Sequence, residues 1–109
     1  MGKVIKYDKL VRDKIPQIIA DNNKGYKIHI ADDQEYLDKL FIKVQEELEE
    51  FKEDPSVEEM ADIFEVLDGL IDFFDLRYDD IINKKKKKKE ERGGFKDRII
   101  LEKVISKGK

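Results

Sequence analysis

Residues 33–74 contain the strongest helical pattern in the chain: DQEYLDKLFIKVQEELEEFKEDPSVEEMADIFEVLDGLIDFF. In its first half, apolar residues recur every three or four positions and form one stripe, as in an amphipathic helix. That stripe contains Leu37, Leu40, Phe41, Val44, Leu48 and Phe51. Asp32 or Asp33 is suited to cap the start of this helix, which is predicted to run to about Lys52 and to end before Pro55.

A second long helix is predicted immediately after Pro55. Ser56 is suited to its N-cap, and Glu59 stands three residues later, at the spacing of a capping box. This helix should run to about Phe74, and it is apolar over much of its circumference, so it is expected to be central. Because the connection is short, the two helices are predicted to pack antiparallel as a hairpin.

The segments before the hairpin predict smaller elements. Residues 1–15 are basic and aperiodic and are expected to form an arm. Pro16 suits the first turn of a short helix that ends by Gly25. Residues 26–30 alternate between apolar and polar side chains, which permits one short strand.

After the hairpin, a fourth helix is expected to pass through the lysine run 84–89 and to end at Gly93-Gly94. Residues 95–109 are expected to form an extended segment, either a strand or a strap. The predicted fold class is therefore all-α: a single domain, residues 1–109, with a bundle of about four helices around an antiparallel central hairpin.

The composition restricts the class of protein. The chain has 109 residues, 45% of them charged, and a net charge of −3, so it is not expected to be a general nucleic-acid binder. It contains no cysteine, which excludes disulfides and thiolate metal sites. No apolar run has the length of a membrane span, and the N-terminus lacks the apolar core of a signal peptide. The expectation is a cytoplasmic protein without a membrane segment.

The hairpin is predicted to bring carboxylates together. Counted outward from Pro55, the motif Glu46-Glu47-x-x-Glu50 lies at the height of Glu59-x-x-Asp62 on the facing helix. Crowded carboxylates repel one another and remain partly protonated, and a divalent cation removes that conflict. Oxygen ligands without histidine or cysteine favour Mg²⁺, with Mn²⁺ as the alternative. The competing interpretation is a solvated glutamate-rich face, with Glu59 only completing the cap.

Taken together, these motifs resemble a known family. EExxE followed by ExxD on a helical hairpin is similar to the signature of the all-α nucleoside triphosphate pyrophosphohydrolases, the MazG-like superfamily. YDKLVRDKIPQII at 7–19 and EERGGFKDRIILE at 90–102 resemble the two ends of its phosphoribosyl-ATP pyrophosphohydrolase-like subfamily. With EEMADIFEVLDGL at 58–70, the resemblance covers nearly the whole chain.

The resemblance implies hydrolysis of a nucleoside triphosphate between the α and β phosphates, which yields a monophosphate and pyrophosphate. It implies Mg²⁺ held by the motif carboxylates. For metal-assisted hydrolysis at such a site, our candidate for the catalytic residue that orients the attacking water is Glu47 or Glu50. The resemblance also implies a homo-oligomer, dimer or tetramer, and a role in clearing noncanonical nucleotides. The implied metal ligands are Glu47, Glu50, Glu59 and Asp62, with Glu46 as the leading residue of the motif.

One spacing departs from the family. Only residues 51–58 separate the two motifs, which is shorter than usual, and Glu65-x-x-Asp68 offers a longer alternative. The surrounding EEMADIF register favours the earlier pair. Glu65 is then an outer ligand or a water-orienting base. Asp68, within an apolar stripe, is expected to be a buried hydrogen-bonding group or an outer partner of the site.

Basic residues are candidates for substrate binding. Lys9, Arg12 and Lys14 are suited to neutralise a triphosphate, and Asp13 to orient Arg12 or to cap the next helix. The alternative is that they are solvated arm residues. Two further candidates follow the lysine run: Arg92 for phosphate, and Phe95 for stacking on a base or packing in the core.

Other functions remain open at this stage. One alternative is a catalytically inactive relative of the family that binds nucleotide or metal without hydrolysis. Another is a helical interaction module whose acidic face binds a basic partner protein. The lysine run is interpreted as a solvated helix face, with docking to nucleic acid as the weaker alternative. His29 is expected to have no chemical role.

Overall fold

The computed structural model describes residues 2–108. These residues form four α-helices and no β-strand, which confirms the all-α prediction. The chain divides into two compact units, one up to Asp75 and one from Leu76 onward. The first contains α1 (Ile15–Asp21), α2 (Asp33–Glu53) and α3 (Val57–Phe73), and the second contains α4 (Tyr78–Arg92).

Side-chain caps define where the two long helices begin. The Asp32 carboxylate accepts a hydrogen bond from the Glu35 backbone N–H at 2.9 Å. The Ser56 hydroxyl accepts one from the Glu59 backbone N–H at 3.2 Å. Each cap satisfies an N–H group that has no partner within its own helix. Both predicted N-termini are confirmed.

Helices α2 and α3 pack as the antiparallel hairpin that the short connection predicted. Tyr36 near the start of α2 meets Phe73 at the end of α3, with ring centroids 5.8 Å apart. Toward the open end of the hairpin, α3 presents a glycine: a Cβ atom at Gly69 would lie 3.0 Å from Leu40 Cδ2. The absence of a side chain at this position therefore sets how closely the helices approach.

The apolar core of the described chain is small. Among residues 2–108, only Leu40 and Ile63 are buried hydrophobic residues, at 3% and 6% exposure. Val57 and Phe64 remain 88% and 60% exposed. The expectation that α3 is central is therefore wrong for this chain taken singly. The physical reason is that, among the described residues of the first unit, α2 is the only helix packed extensively against α3.

Two short elements differ from the prediction. Residues 26–30 are exposed and form no strand, because no neighbouring segment pairs with them. Helix α1 ends at Asp21, before the glycine that was expected to stop it. Asn23 adopts the left-handed conformation, with φ of 58°, and its N–H bonds to the Ala20 carbonyl at 3.0 Å. Asparagine tolerates this conformation better than most residues.

The second unit contains the lysine run. Helix α4 carries all six lysines, none of its residues is buried, and it ends where predicted, at Gly93 with φ of 83°. Beyond it the described residues form no regular secondary structure apart from a turn near Phe95. None of the helices in residues 2–108 combines the length and the apolarity needed to cross a membrane.

Candidate metal centre

Three glutamates meet near the turn of the hairpin. Glu47 and Glu50 lie one helical turn apart on α2, and Glu59 lies in the first turn of α3. One carboxylate oxygen from each lies within 4.8 Å of the other two. Counting from the turn predicts Glu50 at the height of Glu59 and Glu47 near the height of Asp62, and the structure brings Glu47, Glu50 and Glu59 together.

Glu47 is the most unusual member of this glutamate cluster. It is only 6% exposed, and its Oε2 atom has no hydrogen-bond partner among the described residues. The Glu59 Oε2 atom is likewise buried without a partner, although the Glu59 N–H is used by the Ser56 cap. A buried acceptor that is left unsatisfied is costly. The unsatisfied oxygens therefore destabilise the folded protein, and a ligand that contacted them would remove this destabilisation.

The electrostatics of the cluster are unfavourable in the absence of a cation. Burial raises the pKa of Glu47, the negative charge of Glu50 raises it further, and Lys43 only partly opposes them. Burial also raises the pKa of Glu59, again followed by the charge of Glu50 and then that of Asp62. Both carboxyls thus resist ionisation. Oxygen-only ligands in this arrangement suit a hard divalent cation such as Mg²⁺.

The other two predicted ligands are held by cations of the protein. Arg12 Nη2 donates to Asp62 Oδ1 at 2.7 Å, and Lys9 Nζ donates to Glu46 Oε1 at 3.0 Å. Burial would raise the pKa of Glu46, but the hydrogen bond from Lys9 and the charge of Lys43 outweigh it and lower that pKa. The same hydrogen bond raises the pKa of Lys9. The structure therefore leaves Glu46 and Asp62 outside the glutamate cluster.

These ion pairs tie the basic arm to the hairpin. A third contact helps, since Lys39 Nζ donates to the Asp8 backbone carbonyl at 2.7 Å. Lys14 is exposed, and α1 has no side-chain cap, so Asp13 does not perform its alternative role as a cap. Sequence reasoning missed Lys43, which lies 3.4 Å from Glu46 and 3.5 Å from Glu47. Its spacing of three and four residues from these glutamates was the available signal.

An open cavity of about 320 Å³ lies between residues 10–13, α2 and α3, and we call it the arm groove. Its lining includes Arg12 and Asp13 from the arm, Glu47, and the two outer candidates Glu65 and Asp68. Asp68 is exposed, so the expectation of a buried hydrogen-bonding group is wrong. Asp68 lines the arm groove, which is open to water, and its carboxylate is therefore solvated.

Two predicted substrate-binding residues belong to the second unit. Arg92 is the last residue of α4 and is exposed. Phe95 is 98% exposed, so its alternative role in packing the core is excluded within the described chain. His29 Nε2 lies 2.8 Å from Glu35 Oε1, near the start of α2, and takes no part in the glutamate cluster.

The metal-free protein is expected to lose stability as the pH rises above 4.5, the ordinary carboxyl value. Glu47 and Glu59 have raised pKa values, so the folded state binds their protons more tightly than the unfolded state. That stabilisation is lost as the pH rises through the raised values. Glu46 has a lowered pKa, and its contribution changes only below 4.5. Urea unfolding from pH 4.5 to 8 in EDTA measures the trend.

The matched measurement is the same series with excess Mg²⁺. A cation that binds the ionised cluster should stabilise the folded state most at high pH and should cancel the decline. Glu47→Gln, which cannot ionise, should make the decline in the EDTA series shallower and leave the part that Glu59 contributes. Stability that rises with pH in EDTA above 4.5 would contradict the assignment of these two carboxyls.

Comparison of the chain with models of known protein families, with curated proteins and with solved structures gave no match in any of the three.

Proposed function

We propose that the protein is a Mg²⁺-dependent nucleoside triphosphate pyrophosphohydrolase, which cleaves between the α and β phosphates and releases a nucleoside monophosphate and pyrophosphate. The observation that carries this proposal is the buried Glu47 carboxylate, which has one unpartnered oxygen and a ligand atom within 4.8 Å of ligand atoms from Glu50 and Glu59. The resemblance of the hairpin motifs to MazG-like enzymes supplies the reaction.

The available residues fit a divalent cation. Glu47, Glu50 and Glu59 would hold it, and Asp62 would join them if Arg12 released its carboxylate. Mg²⁺, or Mn²⁺ in its place, supplies charge withdrawal from the phosphate oxygens and fixes their orientation when bound. A solvated glutamate face would not need a carboxylate as buried as Glu47, which favours the metal interpretation.

The remaining steps belong to side chains of the chain itself. Glu50 is exposed, so it is the better placed of the two catalytic candidates to orient a water molecule and accept its proton. That water attacks phosphorus as the bond to the bridging oxygen breaks. Lys9 and Arg12 lie beside the cluster and would stabilise the negative charge of the phosphates. Lys43 would offset the charge of Glu46.

Incubation with a panel of nucleoside triphosphates and Mg²⁺ tests the function. The expected products are a monophosphate and pyrophosphate in equal amounts, and EDTA should abolish their formation. Release of orthophosphate, or no turnover with any nucleotide, would refute the proposal. Nucleotide binding without turnover would identify the chain as an inactive relative.

Arg12→Ala is expected to raise the KM for the triphosphate about 10- to 100-fold, because the variant loses a charge-assisted hydrogen bond to phosphate. The same variant should bind Mg²⁺ alone more tightly, because Asp62 is no longer occupied by a guanidinium. Steady-state kinetics and calorimetry measure the two effects. Lys6→Ala is the control, since Lys6 is an exposed arm residue with no ion pair to another described residue. An unchanged KM in Arg12→Ala would remove Arg12 from the substrate site.

We also propose that the enzyme is a cytoplasmic homo-oligomer. The oligomeric state is supported by an apolar hollow of about 280 Å³ on the exposed face of α3, formed by Val57, Met60, Ala61 and Phe64. A single chain with only two buried hydrophobic residues among residues 2–108 gains stability by covering such a face. Sedimentation tests the oligomeric state: the wild type should sediment as an oligomer, and Phe64→Glu should sediment as a monomer. A monomeric wild type would refute the proposed oligomer.

A further inference from the structure

We propose that the arm groove is the nucleoside subsite, and that its carboxylate border selects bases that carry an amino group over their keto counterparts. This inference rests on the proposed function for the position of the phosphates. It extends that function to a substrate class: nucleotides of the adenine, guanine or cytosine type, including chemically modified ones, with deaminated bases as the poor substrates.

The size and direction of the groove fit a nucleoside. A volume of about 320 Å³ lies at the lower end of the range for small-molecule sites. Its lining extends along α2 from Glu47 to Tyr36, about 16 Å at the helical rise, and along α3 from Asp62 to Asp72, about 15 Å. One end therefore adjoins the glutamate cluster, and the other lies more than two helical turns away. A phosphate at the cluster end places the base toward Tyr36.

Charge is distributed unevenly along the groove. Both of its cationic side chains belong to the cluster end, where Arg12 pairs with Asp62, and Lys43 with Glu46 and Glu47. Farther along α3, three carboxylates follow one another at a spacing of about one helical turn. These are Glu65, Asp68 and Asp72, all exposed and all lining the groove. None of them forms a side-chain hydrogen bond or ion pair with another described residue.

The walls supply the apolar surface that a base requires. Leu10 and Val11 come from the arm, and Leu40 and Val66 from the hairpin. At the far end, Gly69 leaves room that a side chain would fill, since its Cβ would lie 3.5 Å from Tyr36 Oη. The Tyr36 ring is held by the tilted contact with Phe73. An aromatic group of this kind is suited to contact a planar base.

An acidic border alone would not indicate a ligand, but the groove also contains the Glu47 carboxylate. Glu47 is only 6% exposed, and its Oε2 atom has no hydrogen-bond partner among the described residues. A buried unsatisfied acceptor in the lining of a cavity indicates that a ligand completes the site.

Selectivity follows from the hydrogen-bonding character of the border. Ionised carboxylates accept hydrogen bonds and donate none. An exocyclic amino group donates to them, whereas a carbonyl oxygen in the same place would face another acceptor and be repelled. Adenine and cytosine each present such an amino group on a base edge, and acidic side chains accept from the amino group of cytosine in nucleic acids. The three-carboxylate border therefore discriminates against hypoxanthine and uracil.

The test is binding of non-hydrolysable triphosphates, with a methylene group between the α and β phosphorus atoms, in Mg²⁺. Two matched pairs differ in one amino group that a carbonyl oxygen replaces: adenosine against inosine, and cytidine against uridine. The amino member of each pair should bind about 10-fold more tightly, as expected for a hydrogen bond to a charged acceptor. Asp68→Asn/Asp72→Asn, whose amides also donate, should reduce the ratio to about 2 or less. Glu49→Gln, an exposed residue of α2 outside the groove, should preserve it.

The outcomes separate this inference from the proposed function. Equal affinities within each pair, or a ratio unchanged in the Asp68 and Asp72 variant, would overturn the inference even if pyrophosphate is released. An amino preference that depends on these two residues would support the subsite even if no nucleotide is hydrolysed.

Discussion

Glu47→Gln is expected to reduce turnover of a nucleoside triphosphate by about 10³-fold or more and to abolish the tight binding of Mg²⁺. The carboxylate is buried, has an unpartnered oxygen and lies within 4.8 Å of ligand atoms from Glu50 and Glu59. A metal ion contributes several kcal/mol of charge stabilisation in the transition state, and each 1.4 kcal/mol is a tenfold change in rate. Pyrophosphate release and calorimetry with Mg²⁺ measure the two effects.

The same substitution should stabilise the metal-free protein, because a neutral amide removes the repulsion from Glu50 that raises the pKa of Glu47. Mg²⁺ should raise the Tm of the wild type and leave that of the variant unchanged. Glu49→Gln is the matched control, since this glutamate is exposed and outside the cluster. If Glu47→Gln retained both turnover and the Mg²⁺-dependent rise in Tm, the glutamate cluster would not be the metal centre.

Leu40→Ala is expected to lower the free energy of unfolding by about 3 kcal/mol, within the range for buried leucines. Leu40 is only 3% exposed and is one of two buried hydrophobic residues among residues 2–108. Because small domains are stable by about 5–15 kcal/mol, this loss is a large fraction of the total. Urea unfolding followed by circular dichroism at 222 nm is the measurement.

Leu48→Ala provides the comparison for this prediction. The change in side chain is the same, but Leu48 is 49% exposed, so the loss should be below about 1 kcal/mol. The variant at Leu40 would also widen the arm groove, since Leu40 lines it beside Gly69. Equal losses in the two variants would show that the α2–α3 contact does not dominate the stability of this chain.

Local sequence was sufficient to predict the hairpin. The apolar period of 33–74, the capping residues Asp32 and Ser56 and the break at Pro55 are short-range signals, and each acts within a few residues of its own position. A short connection also restricts how two helices can pack. The heights of Glu47, Glu50 and Glu59 followed from that restriction, which is why sequence reasoning could group them.

Which of the five candidate carboxylates lie together depended on contacts distant in sequence. Arg12 meets Asp62 and Lys9 meets Glu46 across intervals of 50 and 37 residues. The arm that carries both cations has no period, so no local rule predicts where it lies. The exposure of Asp68 was missed for a related reason, because an apolar stripe predicts a buried face only when another element covers it.

Sequence thus specifies the carboxylate-bearing hairpin through helix period, caps and a short turn, all of which are local free-energy preferences. The packed chain determines which carboxylates lie together and which are held by a cation of the arm. Glu47 becomes the central residue only because α2 and α3 bury it while the arm neutralises Glu46 and Asp62. Burial and ion pairing are properties of the assembled surfaces, and their energies depend on neighbours that helical periodicity does not identify.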